Sequence, residues 1–311
     1  MKVQIQTRSG RSLGEYLLTD DADLAELSNA FHTHNMRYYP SRQRFTFPHP
    51  PGAQPNTRAA PVRAGPSLTA QAAARGLSME GLTLTFKDLG PQVPWRTVFI
   101  VEYLGPLLLF PALWAQPEVV YGADAPGPTQ LQTIAAACFV VHYLKREIET
   151  LFVHRFSNAT MPMKNIVKNT VYYWGFALWM GYFICHPLFT PPPHLMTHIG
   201  LALFASMELL NFVSHVQLRN LRPPGTRVRR IPTGPLFALV SCPNYLFEIL
   251  AWVGFNLMTN SLVGWVFCAV GAAQMLLWAK GKHRMYKKEF DGMDGRELYP
   301  EIRKALIPFV I

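Results

Sequence analysis

The chain has 311 residues, of which 50% are hydrophobic and 15% are charged. This composition is too apolar for an ordinary soluble domain and favours a protein embedded in a lipid bilayer. The formal net charge is +10, but Lys and Arg cluster between apolar segments, as in cytosolic loops of membrane proteins, so we predict no nucleic-acid partner.

The first ninety residues predict a small α+β domain. Residues 1–18 alternate in polarity on both sides of a turn, as a β-hairpin does. A helix is predicted over 21–34, and two further strands in RYYPSRQRFTF and LTLTFKDLG. The Pro-, Ala- and Arg-rich stretch 48–75 predicts a mobile loop. The order β, β, α, β, β is compatible with a ubiquitin-like domain over 1–90.

Residues 91–311 predict a membrane-embedded catalytic domain. A spanning helix needs roughly 20 mostly apolar residues. We place spans near 97–115, 129–145, 169–187, 195–215, 235–258 and 261–281. The predicted fold class is therefore mainly α, a polytopic helical bundle with six or seven spans and a small N-terminal α+β domain.

The loops between these spans alternate in charge. Three connections contain no Lys or Arg: 116–128, 186–194 and 259–260. The other three are rich in both: 145–168, 216–230 and 280–304. By the positive-inside rule this alternation puts both termini in the cytosol and requires an even number of spans.

The cysteines predict no metal site. Cys138, Cys185, Cys242 and Cys268 lie inside or at the rim of apolar stretches, without a CxxC pair or zinc-type His spacing. We interpret them as inert packing thiols.

Three acids fall inside apolar segments, namely Glu102, Glu208 and Glu248. A carboxylate at mid-bilayer costs about 3 kcal/mol or more, so each is a functional candidate. The alternative is that each only pairs with an Arg or Asn across the bundle.

Two further patterns suggest ligand contacts. Tyr143 and Arg146 share a helical face by their three-residue spacing, although such residues also anchor helices at the membrane interface. The segment NFVSHVQLRNLRPPG places Asn211, His215, Arg219 and Arg222 on one helical stripe. Two arginines on one stripe suit a phosphate-rich ligand, and anionic lipid is the alternative.

Known nucleotide motifs are missing from the sequence, because no GxGxxG follows a strand and no GxxxxGK occurs. Any nucleotide must therefore be held by helix side chains. After the last predicted span, KGKHRMYKKEF supplies basic, His and Tyr residues, and the apolar end ALIPFVI predicts a terminus docked into protein.

The motifs carry a resemblance over nearly the whole chain. KDLGPQVPWRTVFIVEYLGPL and VHYLKREIETLFVHRFS, followed by ELLNF, LRNLRPPGT, LFALVSCPNYLFEILAW and RKALIPFVI, resemble the very-long-chain trans-2-enoyl-CoA reductases of the steroid 5α-reductase family. The combination of the first two motifs is specific for the enoyl-CoA branch. LFALVSCPNYLFEI alone indicates only the wider family.

The resemblance implies NADPH-dependent reduction of the 2,3 double bond of a very-long-chain trans-2-enoyl-CoA. This is the final step of the fatty acid elongation cycle in the endoplasmic reticulum membrane. The implied partners are the long-chain enoyl-CoA substrate, membrane lipid and other fatty acid elongase components.

The resemblance also implies roles for particular residues. The implied catalytic residues are Glu102, Tyr143, Lys145 and Tyr245. The implied cofactor-binding residues are Arg146, Asn211, Arg219, Arg222, Asn244, Glu248, His283 and Tyr286. Two positions depart from the steroid enzymes, since His215 stands where they carry Asp and Arg229 where they carry Tyr.

A mechanism follows as a hypothesis. Tyr143, supported by Glu102, would donate to the thioester oxygen, and Tyr245, with Lys145 beside it, would protonate C2. The two tyrosines could exchange roles. The alternatives are a reductase of a steroid or polyprenal enone, or a non-catalytic subunit of a lipid-synthesis complex.

Overall fold

The computed structural model describes residues 1–49, 59–156, 159–223 and 229–311. The chain divides into two compact units. The N-terminal unit comprises Met1–Pro94 and Thr160–Met163, and the helical unit comprises Trp95–Ala159 and Lys164–Ile311.

The N-terminal unit contains a four-stranded sheet and two helices. Its elements in chain order are β1 (Lys2–Thr7), β2 (Ser12–Leu17), α1 (Leu24–His34), β3 (Gln43–Thr46), α2 (Leu68–Ala73) and β4 (Thr83–Asp88). The strand order in the sheet is β2-β1-β4-β3. Strands β1 and β2 form the predicted antiparallel hairpin, β1 and β4 are parallel, and β3 and β4 are antiparallel.

Helix α1 begins at Leu24, three residues later than predicted. The Asp23 side chain accepts hydrogen bonds from the backbone N–H groups of Ala25 and Glu26, so Asp23 is the N-cap. An N-cap residue has non-helical backbone angles, and Asp21 therefore lies outside the helix. Alternating residues of the strands pack against Phe31 of this helix in one apolar core.

Helix α2 lies within the stretch that the sequence assigned to a mobile loop, and that part of the assignment is corrected. Ser67 caps the helix by accepting from the Ala70 N–H, and Leu68 is fully buried. The sequence pattern did not predict α2 because its apolar face is short and Pro and Arg residues surround it. Residues 50–58 of the same stretch lie outside the described residues. Strands β5 (Gln92–Pro94) and β6 (Thr160–Pro162) form an antiparallel pair in this unit.

In the part of the chain that the structure describes, the second unit contains one short helix and six long helices, and each long helix overlaps one of the six predicted spans. They are α3 (Trp95–Trp114), α4 (Glu118–Tyr121), α5 (Gln130–Ile148), α6 (Lys164–Ile184), α7 (His194–Asn220), α8 (Pro243–Thr259) and α9 (Leu262–Glu289). By length and composition α3, α7 and α9 can each cross a membrane. The protein is mainly helical, and its described residues include three candidate spans and a small N-terminal strand region.

The fifth predicted segment, 235–258, starts too early. Helix α8 begins at Pro243, which suits a first helical position because proline has no N–H to leave unpaired. A 3-10 turn over Pro235–Phe237 precedes it.

Helices α7 and α8 cross at two glycines. A Cβ on Gly200 would lie 2.5 Å from the backbone nitrogen of Met258, and a Cβ on Gly254 would lie 2.5 Å from that of Phe204. Small residues at a helix crossing allow close backbone approach, as in membrane helix pairs. This crossing brings the polar ends of the two helices together.

Candidate active site

The last two turns of α5 carry four neighbouring residues that reach other helices: His142, Tyr143, Lys145 and Arg146. His142 and Tyr143 are almost fully buried. Buried polar groups must be paired, so the partners of these four residues define the site.

Lys145 is bound by helix α7. Its Nζ atom lies 2.6 Å from Oε2 of Glu208 and donates to Oδ1 of Asn211 at 2.7 Å. The contacts of Lys145 are thus with α7, and its pairing with Tyr245 stays a prediction. A cation that does lie over the Tyr245 ring is Lys282 of α9, whose Nζ is 5.6 Å from the centre of the ring.

His142 lies between two carboxylates from different helices. Its Nδ1 is 2.7 Å from Oε1 of Glu208 on α7, and its Nε2 is 3.4 Å from Oε1 of Glu248 on α8. Two of the three acids singled out in the sequence therefore share one histidine. Neither pairs only with an Arg or Asn.

Arg146 of α5 contacts a different set of residues. Its guanidinium donates to Oε2 of Glu149 at 2.8 Å and to the hydroxyl of Tyr103 at 2.9 Å. The other carboxylate oxygen of Glu149 lies 2.9 Å from Nδ1 of His215. Glu149 lies in a turn of π-helix that extends α5, a distortion that is frequent at functional sites.

His154 follows this π-turn and completes a small group of possible metal ligands. One ligand atom from each of Glu149, His154 and His215 lies within 4.8 Å of the others. Removal from water, together with the positive charge of Arg146, lowers the pKa of His154 to about 3, so its ring is neutral at pH 7. A cation here would compete with the Arg146 guanidinium for the same carboxylate.

Glu102 and Tyr143 do not bond to each other. Glu102 accepts a hydrogen bond from Asn169 of α6 at 2.8 Å. Tyr143 is enclosed by rings, with Tyr103, Tyr173 and Trp252 at centroid distances of 6.1, 6.4 and 6.2 Å. Tyr103 also binds Arg146, so Tyr143 and Arg146 have Tyr103 as a common neighbour.

Asn211 and Asn244 join α7 to the start of α8. The side-chain amide of Asn211 donates to the backbone carbonyl of Asn244 at 2.8 Å. The Asn244 side-chain N–H group lies 3.5 Å from Nε2 of His215. Oδ1 of Asn244 is buried and has no partner among the described residues. A buried acceptor without a partner fits a ligand that supplies an N–H donor, such as a carboxamide.

The residues after the last span form a separate group at the end of α9. Oγ of Ser241 lies 2.6 Å from Nδ1 of His283 and 2.7 Å from the hydroxyl of Tyr299. Tyr286 stacks on Tyr299 at 5.4 Å. Ala305 and Leu306 are buried with Cys242, whereas Ile307, Phe309 and Val310 are exposed. Only the start of the apolar segment ALIPFVI therefore docks into protein, and the prediction is wrong for the rest of it.

The predicted phosphate-binding arginines have different surroundings. Arg219 is exposed in the last turn of α7, whereas Arg222 donates to the Arg155 carbonyl at 3.0 Å. Arg229, which stands where the steroid enzymes carry Tyr, forms an ion pair with Glu289 at 2.8 Å. Residues 224–228, which connect the two positions, lie outside the described residues.

Sequence reasoning missed four residues that complete these contacts: His142, Glu149, Asn169 and Lys282. A signal was available for two of them, because His142 and Glu149 lie three residues from Lys145 and Arg146 on the same helix. Asn169 and Lys282 occupy ordinary positions at helix ends. They can be recognised only from the residues that they contact in the structure, Glu102 and Tyr245.

Comparison with known proteins matches the sequence of this chain to a family. The family model described as 3-oxo-5-alpha-steroid 4-dehydrogenase matches residues 159–311. The chain is 50% identical over 229 residues to the very-long-chain enoyl-CoA reductase of Dictyostelium discoideum, covering 74% of each chain. It is 48% identical over 246 residues to a probable very-long-chain enoyl-CoA reductase of Caenorhabditis elegans, covering 76% of this chain and 78% of the relative.

A human relative extends the match. The trans-2,3-enoyl-CoA reductase-like protein of Homo sapiens is 32% identical over 305 residues, covering 94% of this chain and 78% of the relative. Taken with the buried polar cluster between its helices, these similarities show that the chain belongs to the very-long-chain enoyl-CoA reductase family, within the steroid 5α-reductase group.

Proposed function

We propose that this protein reduces the 2,3 double bond of very-long-chain trans-2-enoyl-CoA to give the acyl-CoA, with NADPH as the reductant. The proposal rests on family membership, because the chain is 45–50% identical to proteins named very-long-chain enoyl-CoA reductase. The family makes the chain an oxidoreductase that acts on a CH–CH bond.

The chemistry requires two proton-bearing groups. Reduction at C3 moves negative charge onto the thioester oxygen, so a donor must face that oxygen and an acid must protonate C2. We assign the first role to Tyr143 and the second to Tyr245. Neither hydroxyl bonds to another described residue, which leaves both free to face a substrate. Glu102 would support Tyr143 through the surrounding rings instead of by direct contact.

The cofactor residues fit a reduced nicotinamide dinucleotide, which supplies the hydride when bound. The unpaired Oδ1 of Asn244 can accept from its carboxamide, and the exposed Arg219 can bind its phosphates. Arg146, Asn211, Arg222, Glu248, His283 and Tyr286 are assigned to the same site. Lys145 then positions α7 through Glu208 and Asn211.

The setting of the enzyme completes the proposal. Three apolar helices support a membrane protein, and the charge pattern of the loops supports six spans with both termini cytosolic. We place it in the endoplasmic reticulum, beside other elongase components. The sheet order β2-β1-β4-β3 with α1 against it supports a cytosolic ubiquitin-like domain over 1–90.

The direct test is NADPH oxidation by the purified protein in lipid nanodiscs with trans-2-enoyl-CoA substrates of several chain lengths. We expect turnover with 2-hexadecenoyl-CoA and longer substrates, with the saturated acyl-CoA seen by mass spectrometry. Because the matching family model is described by a steroid reaction, an enone steroid serves as the competing substrate. Faster turnover of the steroid would indicate that the protein is a steroid reductase. Turnover of neither substrate would contradict the proposed function.

A further inference from the structure

The ring of His215 lies between a carboxylate and a side-chain amide. Arg146 donates to Oε2 of Glu149 at 2.8 Å, and Oε1 of Glu149 lies 2.9 Å from Nδ1 of His215. On the opposite edge of the ring, Nε2 lies 3.5 Å from the side-chain nitrogen of Asn244, at the long limit of a hydrogen bond. Glu149, His215 and Asn244 are all buried. These contacts therefore decide the state of the ring.

The carboxylate determines which nitrogen of His215 carries the proton. A guanidinium is always charged and donates, so Glu149 is ionised beside Arg146 and its oxygens only accept. Nδ1 of His215 is therefore the donor to Glu149. Arg146 already balances the single charge of Glu149, and a proton on Nε2 as well would add an unbalanced charge in a buried place. The ring is then the neutral Nδ1–H tautomer, with a lone pair on Nε2.

This lone pair determines how the Asn244 amide is oriented. The two ends of a side-chain amide fill nearly the same space, so the groups that they face decide between them. The N–H end attracts the Nε2 lone pair, whereas the carbonyl end would set one lone pair against another. Both effects favour the orientation with the nitrogen towards His215. Oδ1 of Asn244 then points away from the ring, and it is buried without a partner among the described residues.

The orientation of Asn244 has a consequence for ligand choice. Oδ1 can only accept, so a ligand carboxamide satisfies it with an N–H group. An acetyl group of the same shape places a methyl group there and leaves the buried oxygen unpaired. The reversed amide would present N–H groups, which bind the carbonyl of either ligand. Only the observed orientation therefore distinguishes a carboxamide from an acetyl group.

We propose that His215 is a positioning residue whose Nε2 lone pair orients the Asn244 amide, so that Oδ1 selects the carboxamide of a nicotinamide dinucleotide. His215 acts only through Asn244, and Glu149 acts only by fixing the proton on Nδ1 of His215. The inference rests on the proposed function, because it assigns the nicotinamide to this site.

The test compares three reduced dinucleotides by isothermal titration calorimetry on the purified full chain in nanodiscs. They are NADPH, its acetylpyridine analogue, which lacks the amide N–H, and its thionicotinamide analogue, which keeps it. Wild type should bind NADPH roughly tenfold tighter than the acetylpyridine analogue, the effect of one buried hydrogen bond. The thionicotinamide analogue should bind about as tightly as NADPH.

The decisive variant is His215→Asn, which keeps an N–H group for Glu149 and has no atom at the position of Nε2. The preference for NADPH over the acetylpyridine analogue should fall to about twofold or less, because Asn244 can then adopt either orientation. In Asn244→Ala protein, adding His215→Asn should change the preference no further. The matched control is His198→Asn on the exposed face of α7, which should keep the preference of wild type.

A second variant and a spectrum keep the inference testable if His215→Asn folds poorly. His215→Phe keeps the ring shape and removes both nitrogens, and it should lose the preference in the same way. In 15N-histidine-labelled wild type, one signal of a neutral Nδ1–H ring should be present at pH 7.5 and disappear in His215→Phe. This signal requires neither cofactor nor turnover.

The outcomes separate the inference from the function. Equal binding of NADPH and the acetylpyridine analogue by wild type, or a preference that survives in both His215 variants, overturns the inference. A His215 ring protonated on Nε2, or an equal loss of affinity for all three dinucleotides in the variants, also overturns it. Reduction of 2-hexadecenoyl-CoA would leave the function standing in each case. Wild type that shows the preference but reduces no enoyl-CoA contradicts the function and leaves the role of His215 intact, whereas wild type that binds no NADPH contradicts both.

Discussion

The two candidate tyrosines have different electrostatic surroundings. Tyr143 is buried among aromatic rings, with the charges of Glu248 and Arg146 near it. Tyr245 has the Lys282 ammonium close to its ring. A neighbouring cation stabilises a phenolate, so Tyr245 is better suited to release a proton and Tyr143 to donate a hydrogen bond while remaining protonated.

The first prediction concerns these two hydroxyls. Tyr143→Phe and Tyr245→Phe should each lower kcat by roughly 100-fold, a typical contribution of a positioned proton donor. NADPH binding, measured by fluorescence titration, should be unchanged in both. Tyr182→Phe, on the exposed part of α6, serves as the control. A variant with full activity would exclude that tyrosine from the mechanism.

The second prediction concerns the buried oxygen of Asn244. Asn244→Ala removes the unpaired Oδ1 and should raise the Kd for NADPH about tenfold, equivalent to roughly 1.4 kcal/mol. Isothermal titration calorimetry measures the change, with Asn29→Ala of α1 as the control. Unchanged affinity would show that Oδ1 does not face the cofactor.

At the level of helices, the α7 and α8 crossing determines whether the site can form. Gly254→Ala would place a Cβ 2.5 Å from the Phe204 nitrogen and 2.7 Å from the Gly200 oxygen, so the helices must separate. We expect a loss of about 1–3 kcal/mol in stability, typical of overpacking. Activity should also fall, because Asn211 then loses its bond to Asn244.

The comparison for this third prediction is Gly175→Ala on α6, where a Cβ meets nothing within 4 Å. Thermal unfolding in detergent, followed by circular dichroism, should separate the two alanine variants by several degrees. Equal unfolding temperatures would mean that α7 and α8 can move apart at their crossing without a loss of stability.

The fourth prediction concerns strands β3 and β4 and their dependence on pH. Arg42 and Asp88 form a two-contact ion pair, with Nη2 2.7 Å from Oδ2. The hydrogen bond from Arg42 lowers the pKa of Asp88 below its ordinary value of 3.8, although partial burial opposes this. A carboxyl whose pKa is lowered by folding stabilises the folded state above its ordinary pKa, and this contribution disappears as pH falls through the lowered value.

Amide hydrogen exchange of β3 and β4 in the full chain tests whether the contribution of Asp88 to stability disappears as the pH falls. Asp88→Asn should reduce protection at pH 7 by up to roughly fivefold, as expected for a surface pair. The difference from wild type should shrink as the pH falls below 3.8. Asp21→Asn should show no effect at either pH. A difference that grows on acidification would contradict the assignment.

For the whole molecule, the fifth prediction is the orientation in the membrane. A spaced glycosylation tag inserted within 122–128 should be modified in microsomes, because that connection contains no Lys or Arg and is assigned to the lumen. The same tag within 291–297 should remain unmodified. Endoglycosidase-sensitive mass shifts report both results, with the untagged protein as reference. Modification of the C-terminal tag would reverse the orientation.

Much of the architecture follows from the chain alone. The apolar segments predicted six long helices near their observed positions because hydrophobic length and helix length are linked by the bilayer thickness. The alternation in residues 1–18 predicted the hairpin, and the motifs around Tyr143 identified the family. These signals are local, and each can be read without knowing how the helices pack.

The pairing of side chains was decided only by the tertiary structure. Lys145 binds Asn211 across 66 positions of sequence, and Lys282 of α9 lies over the ring of Tyr245 of α8. Such contacts depend on how each helix is rotated and how closely the helices cross, which the Gly200 and Gly254 contact controls for α7 and α8. A sequence pattern places a residue on a helical face, whereas the packed bundle selects the charged group opposite it.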